Sequence, residues 1–130
     1  MSLTVSPELL EQAERGHVDD DAFLDCIRAS LPYAYDLVER LAGELPTADR
    51  DFADNQISPA DDAEQGQLLR TVASTAIRGA LKRHFGVALA FQNCHRLAAF
   101  RPQAVDCEQY RRFVSAESQL LNQQPEFVNC

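Results

Sequence analysis

The stretch from Ser58 to His84 constrains the fold more than any other part of the sequence, because it predicts one long helix. Ser58 can cap the free N–H groups of a helix start, and Pro59 is tolerated in the first turn. Gly86 is placed to end the helix in a left-handed conformation. Apolar residues recur between these ends at helical spacing: Leu68, Leu69, Val72, Ala73, Ala76, Ile77, Ala80 and Leu81. A band this wide indicates contact with neighbours on more than one side, as in the central helix of a domain.

Residues 87–100 predict a two-stranded β-hairpin that follows this helix. Apolar side chains alternate with small or polar ones at Val87, Leu89 and Phe91. A second apolar run covers 97–100, so we expect the turn near Asn93 and Cys94, although no Asn-Gly or Asp-Gly dipeptide marks it. One long strand and a continuation of the helical fold are the alternatives. An isolated hairpin is marginal in water, so it must lie on the helices or pair with a second copy.

Shorter amphipathic segments before residue 46 predict further helices, the first of them capped by Ser6. A last helix is expected from Cys107 to about Asn122, capped by Asp106, with Leu120 and Leu121 on its apolar face. The sequence therefore predicts an α+β, mainly helical fold of about five helices, with one small β-hairpin after a long central helix.

The length of 130 residues predicts a single globular domain over 1–130, with 124–130 as a flexible tail beyond the last helix. Residues 46–57 are expected to form a loop that Phe52 and Ile57 pin to the core.

The net charge of −8 is divided unevenly along the chain. Residues 1–62 carry 15 Asp and Glu against 4 Lys and Arg, whereas residues 63–130 carry 5 against 8. A basic ridge lies on the side of the long helix away from its apolar band, and it consists of Arg70, Ser74, Arg78 and Lys82. Overall acidity argues against a nucleic-acid partner, since phosphate neutralisation supplies most of that affinity.

The sequence predicts a cytoplasmic protein without a membrane span. Its N-terminus has no basic region followed by an apolar stretch, and no run of about 18 apolar residues is present. In the cytoplasm the cysteines, which are Cys26, Cys94, Cys107 and Cys130, are expected to be mostly reduced. None of them forms a Cys-x-x-Cys pair, so the strongest zinc signal is missing and no metal or cofactor is predicted.

The candidate site is the polar run from Gln92 to Arg96 between two apolar segments. It brings amide, thiol, imidazole and guanidinium groups together, and the simplest interpretation is a polar turn that fixes the hairpin to the helices. The candidate catalytic residues are Cys94 and His95, with Cys94 as the nucleophile. Adjacent residues of a strand point to opposite faces, so we expect the base to be His84 or a residue from another segment.

Two further interpretations of this run use residues elsewhere in the chain. A metal site would draw on Cys94, His95, Cys107 and His84, but their spacing matches no common structural pattern. A ligand pocket would lie between the small side chains of the long helix and the hairpin, with Asn93, His95 and Arg96 supplying directed contacts. The full set of candidate binding residues is His84, Asn93, Cys94, His95, Arg96, Arg78 and Lys82.

These patterns favour a non-enzymatic binding or regulatory module that acts through protein–protein interaction. We expect the chain to form a homodimer and to act on an unknown protein partner. The acidic half or the basic ridge would supply the contact surface. The alternative is a small enzyme, or a small-molecule or metal binder, centred on Cys94 and His95.

Several short sequence segments resemble those of a family of small uncharacterised actinobacterial proteins. They extend over most of the chain: SPELLEQAERG, FADNQ, AIRGALKRHFGV, FQNCHR and QLLNQQPE. The richness in Ala, Arg and Asp suits a high-GC genome. The resemblance implies a cytoplasmic protein, and it carries no activity and no catalytic residues to this chain.

Overall fold

The fold was obtained as a computed structural model, which describes residues 2–127. Seven α-helices lie in this part of the chain: α1 Pro7–Glu14, α2 Asp20–Ser30, α3 Pro32–Glu44, α4 Asp62–Ala73, α5 Thr75–Phe85, α6 Glu108–Phe113 and α7 Ala116–Leu121. Three strands form one antiparallel sheet: β1 Phe52–Asp54, β2 Ala88–Gln92 and β3 Arg96–Phe100. Short 3-10 helices cover Leu45–Thr47 and Pro102–Ala104. This architecture confirms the predicted α+β, mainly helical fold.

The expected long helix is divided into α4 and α5 at Ser74. Ser74 adopts an extended conformation, with φ −94° and ψ 115°, and its Oγ accepts a hydrogen bond from Ile77 N at 3.2 Å. Arg78 Nη1 donates to Val72 O, a carbonyl of the last turn of α4, at 2.6 Å. The capping preference of serine thus exceeds the tendency of the helix to continue. Because of this break, Arg70 stands on a different helix from Arg78 and Lys82, and the predicted basic ridge is not one continuous line.

Most helix starts follow capping chemistry, and at α4 the capping residue differs from the expected one. Ser6 Oγ accepts from Leu9 N at 3.2 Å and so caps α1 as predicted. At α4 the cap is Asp61, whose Oδ1 accepts from Glu64 N at 2.9 Å, so the helix begins after Ser58 and Pro59 rather than at them. An aspartate at this position satisfies a free N–H group and adds negative charge at the positive end of the dipole.

The main core lies between α2, α3, α4, α5 and one face of the sheet. Its fully buried side chains come from the predicted apolar bands of these helices and from β3: Ile27, Leu31, Val38, Leu41, Leu68, Ile77, Leu81 and Leu97. Burial of apolar surface on this scale is the main source of stability in a domain of this size.

The predicted hairpin is confirmed, and a third strand joins it. Strands β2 and β3 pair from Ala88↔Phe100 to Gln92↔Arg96, and β1 pairs with the other edge of β3 in the register Phe52↔Phe100. Successive residues of β3 face opposite sides, so Phe100 lies away from the main core and contacts Phe52 and Phe113, with ring centroids 4.9 and 5.8 Å apart. The sheet is therefore covered by the main helices on one face and by α6 on the other.

The segment expected to be one last helix forms two short ones, α6 and α7. Cys107 caps α6 in place of Asp106, because its Sγ accepts from Tyr110 N at 3.4 Å. Ser115 caps α7 through a hydrogen bond from Ser118 N at 3.1 Å. The prediction that Leu120 and Leu121 face the core is wrong, since their exposed fractions are 74% and 78%.

The loop before α4 also differs in part from expectation. Phe52 begins strand β1 and its ring stacks on Phe100, so part of the expected loop belongs to the sheet. Ile57 is 81% exposed and does not hold the segment to the core. Of the predicted tail, residues 125–127 lie beside the hairpin turn, and 128–130 lie outside the described residues. No helix within residues 2–127 has the length and apolar character needed to cross a membrane.

Candidate functional site

The hairpin turn places two consecutive residues in the left-handed region. Asn93 has φ 49° and Cys94 has φ 61°, and His95 N donates to Gln92 O at 3.4 Å across the turn. Two successive positive φ values are the pattern of a type I′ turn, whose twist matches that of antiparallel strands. Asparagine tolerates this conformation well, whereas cysteine adopts it rarely. The turn therefore lies where the sequence predicted, without the usual glycine.

Hydrogen bonds attach this turn to the C-terminal helices. Asn93 Nδ2 donates to Gln119 O at 2.6 Å and also to Asn122 O, while Asn93 N donates to Gln119 Oε1 at 3.2 Å. Gln92 Nε2 donates to Phe113 O at 2.8 Å. The amide groups of the candidate site are thus used to hold α6 and α7 in place, as the structural interpretation predicted.

His95 is buried and is fixed through both its backbone and its ring. Its Nδ1 lies within hydrogen-bonding distance of Asn93 O. Its carbonyl accepts from Asn55 Nδ2 at 2.7 Å, and Asn55 Oδ1 accepts from Leu97 N at 2.7 Å. Asn55, just after β1, therefore joins two segments about forty residues apart, and sequence reasoning did not single it out.

Cys94 is disulfide-bonded in the structure, so its sulfur is not a thiol in this state. It lies beside a cavity of about 330 Å³ whose lining also includes Asn93, Pro125 and Phe127. Cys26 and Cys107 are free. Cys130 lies outside the described residues. The thiolate chemistry considered for Cys94 therefore requires prior reduction of the disulfide.

The remaining candidates for a catalytic or metal site are dispersed. His84, at the exposed end of α5, lies against the ring of Phe85 and lines a separate cavity with Asp20 and Asp21. Cys107 is occupied as the cap of α6. Within the described part of the chain, no group of three or more His, Cys, Asp or Glu side chains could hold a metal ion.

The side of α5 that carries small residues faces the N-terminal region. Ala76 lines an apolar cavity of about 340 Å³ together with Leu3, Leu9, Phe23 and the free thiol of Cys26. This cavity lies between α5, α1 and α2, whereas the sequence placed the expected pocket between the long helix and the hairpin. Its lining is almost wholly hydrocarbon, so it lacks the directed polar contacts that the prediction assigned to Arg96 and its neighbours.

Arg96 belongs to a different cleft, which lies on the α6 side of the sheet. Its Nε donates to Asp54 Oδ2 at 3.0 Å, and Arg50 Nη2 donates to Asp54 Oδ1 at 3.3 Å. These two arginines and Arg112 line a space of about 240 Å³, which we call the arginine cleft. Sequence reasoning found Arg96 but missed its two companions, because they come from a loop and from a short helix far along the chain.

Two tyrosines on α3 have shifted titration behaviour. Burial raises the pKa of Tyr33, and the carboxylate of Glu64 adds to the shift. Burial likewise raises the pKa of Tyr35, with a further contribution from Glu39. Both shifts favour the neutral phenol in the folded state. They mark packing of α3 in the core rather than a reactive group.

The fold and this set of contacts define a small, mainly helical α+β domain whose hairpin is fixed by polar side chains. The chain belongs to the family described as NucS shadow ORF, which it matches over residues 1–130. Comparison with curated proteins and with solved structures gave no significant match.

Proposed function

We propose that the chain is a non-enzymatic binding module that acts through contact with another protein chain, in the first place a second copy of itself. The observation that supports this proposal is the exposure of Leu120 and Leu121 on α7. The residues beside them, Gln119 and Asn122, attach the helix to the hairpin turn through polar atoms. The leucines are thereby presented outward from a fixed helix.

An exposed pair of leucines is costly for an isolated protein. Each leucine that stays in water forgoes roughly 1.5–3 kcal/mol of burial free energy. Val114, which follows α6, is also exposed. Adjacent exposed apolar side chains such as Leu120 and Leu121 mark interaction sites more often than scattered single ones do.

A second copy is the partner that the surrounding charges fit. Glu117, one helical turn before the leucines on α7, and Arg111 on α6 are both exposed. In a two-fold symmetric contact the same surface meets itself, so the carboxylate of one copy can lie opposite the guanidinium of the other. Because the apolar centre is small, we expect a dimer that forms and dissociates readily.

The surfaces predicted from the charge pattern are weaker candidates for the contact with a partner chain than α7 is. Arg78 is committed to the carbonyl of Val72, and Arg70 stands on another helix. Lys82 is exposed and can contribute to an additional contact with an acidic partner. The acidic surface of α1 to α3 carries like charge, so it opposes self-association there.

Sedimentation velocity over a range of concentrations tests the proposal. For the wild type we expect the average mass to rise from that of the 14.5 kDa chain towards twice that value. The double variant Leu120→Gln/Leu121→Gln should stay monomeric, since neither side chain supports the fold. Ile57→Gln is the matched control, because Ile57 is equally exposed but lies on another surface. A wild type that is monomeric throughout, or a control that dissociates equally, would refute α7 as the interface.

The alternative is a small enzyme or ligand binder centred on Cys94 and His95. The cavity beside Cys94 supports it, whereas the disulfide and the hydrogen bonds of Asn93 and His95 count against it. The discriminating experiment is the alkylation rate of Cys94 after reduction. A rate no faster than that of a free cysteine, together with no metal in elemental analysis, removes this alternative.

A cytoplasmic location and an actinobacterial origin are inferences from the sequence alone. Disulfides are uncommon in the cytoplasm, so the bond at Cys94 makes the location worth testing by fractionation. The family description names a reading frame in relation to NucS and does not name an activity. Detection of tryptic peptides of this chain by mass spectrometry is therefore the first cellular experiment.

A further inference from the structure

We propose that the arginine cleft binds the phosphate group of a small phosphate ester. The cleft lies between β1, the hairpin and α6. It shares Gln92 and Arg96 with the polar run at the turn, and its lining does not include the leucines of α7. Its guanidinium groups come from Arg50 before β1, Arg96 at the start of β3, and Arg112 on α6. Three such groups around one small space are unusual in a chain with a net charge of −8.

The charges around the cleft do not cancel. Arg50 and Arg96 share the single carboxylate of Asp54, which is buried beneath them. One positive charge is therefore left over from this trio. Arg112 adds another, and its nearest carboxylate, Glu108 at 3.6 Å, is so exposed that water screens most of the attraction. An anion that enters the cleft meets a net positive field.

The two inner arginines are held in fixed orientations. The guanidinium of Arg50 lies over the ring of Phe52, 4.1 Å from its centroid, and that of Arg96 lies 5.0 Å from the centroid of Phe113. Asp54 fixes one edge of each group. Within the described residues Arg50 makes no side-chain hydrogen bond beyond this one, so its other N–H groups are available to a ligand. Preorganised donors reduce the entropy that binding would otherwise cost.

The dimensions and the walls of the cleft indicate the class of ligand. A space of about 240 Å³ accommodates a phosphate group and a small substituent. Planar guanidinium groups match the oxygens of phosphate through paired hydrogen bonds. The guanidinium groups of Arg50 and Arg96 cover the rings of Phe52 and Phe113, and the two arginine side chains stay 37% and 36% exposed. A planar organic substituent can therefore stack on a guanidinium group, as aromatic rings do on arginine. A nucleic acid fits less well, because the acidic helices would repel a long polyanion.

Titration of the ¹⁵N-labelled chain with phenyl phosphate, followed by NMR, tests this assignment. We expect saturable shifts at Arg50, Phe52, Arg96 and Arg112, and a binding constant that weakens as salt is added. Inorganic phosphate should produce shifts at the same residues with lower affinity, since it lacks the ring that stacks on a guanidinium group.

Arg112→Gln should raise the Kd for phenyl phosphate by about fivefold, the effect of one partly solvated charge. Arg15→Gln is the matched control, because Arg15 likewise forms an exposed ion pair one helical turn away, with Glu11, but does not line the cleft. The Kd of this variant should change by less than about twofold. Absence of shifts at the cleft, an equal loss in both variants, or equally tight binding of benzoate would overturn the proposal.

Discussion

Arg96 and Asp54 join the hairpin to β1 through a charged contact that is largely withdrawn from water. The Nε of Arg96 donates to Asp54 Oδ2 at 3.0 Å, and its Nη2 donates to the same oxygen. The side chain of Asp54 is 6% exposed, so its carboxylate relies on Arg96 and Arg50 in place of solvent. A buried charge is tolerable only when it is paired in this way. Arg96 of this contact also lines the arginine cleft.

Asp54→Ala should lower the free energy of unfolding by about 2 kcal/mol, because it leaves two arginines without their carboxylate. The loss is moderate, since both arginines are partly exposed and can regain water. Asp51→Ala is the control: Asp51 pairs with Arg101 at 3.2 Å but is about half exposed. It should cost about 0.5 kcal/mol. Urea unfolding measures both, and equal losses would contradict the role assigned to Asp54.

The third strand and its contacts illustrate what sequence periodicity does not reveal. Strand β1 has three residues, which is too short for alternation to stand out from a loop. Asp54 and Asn55 find their partners 42 and 40 residues later, at Arg96 and at the carbonyl of His95. Nothing local in the sequence marks these pairs. By contrast, the apolar bands of α3 to α5 and the hairpin turn near Asn93 follow from spacing alone.

Competition between local sequence signals explains the remaining differences between the predicted and the observed helices. Ser74 lies inside an apolar band that predicts one helix, yet its side chain caps a new one. Asp61 takes the capping position that Ser58 was expected to fill. The leucines of α7 follow helical spacing but face water, because the side of the helix towards the body is fixed by polar groups. Periodicity identifies an apolar face and does not say whether another part of the same chain covers it.

Replacing each of two glycines by alanine should change the free energy of unfolding in opposite directions. Gly86 ends α5 with φ 66°, a conformation that side chains disfavour, so Gly86→Ala should cost about 1 kcal/mol. Gly43 lies within α3, and a Cβ there would meet nothing within 4 Å. Gly43→Ala should therefore stabilise the fold by about 0.5 kcal/mol, since alanine favours the helix. Thermal unfolding measures both variants, and a change in Tm of the same sign in both would contradict the backbone conformations assigned to the two glycines.

Thr71→Val should stabilise the protein by about 1 kcal/mol. Thr71 is fully buried on α4, and among the described residues its hydroxyl has no hydrogen-bond partner. Valine has nearly the same shape and removes the unpaired hydroxyl from the core. Thr75→Val, at an exposed position of α5, is the matched control and should not stabilise. If Thr71→Val destabilises in denaturant unfolding, the hydroxyl has a partner, such as a buried water.

Alkaline pH should destabilise the fold partly through Tyr35, whose pKa is raised by burial. Below the unfolded-state pKa of about 10 both states hold the proton, so this contribution to stability is complete. As the pH rises through that value the unfolded tyrosine ionises first, which favours unfolding. Tyr35→Phe should therefore make the loss of stability above about pH 10 less steep. An unchanged slope in unfolding measurements across this range would contradict the assignment.

The central claim, that α7 presents its leucines to a second copy of the chain, is tested most directly by isotope-filtered NOE spectroscopy. The sample is an equimolar mixture of labelled and unlabelled chains at high concentration. We predict intermolecular contacts from the methyl groups of Leu120 and Leu121, and their loss in the double glutamine variant. Intermolecular contacts confined to another surface, such as the edge of β2, or no contact at all, would contradict the claim.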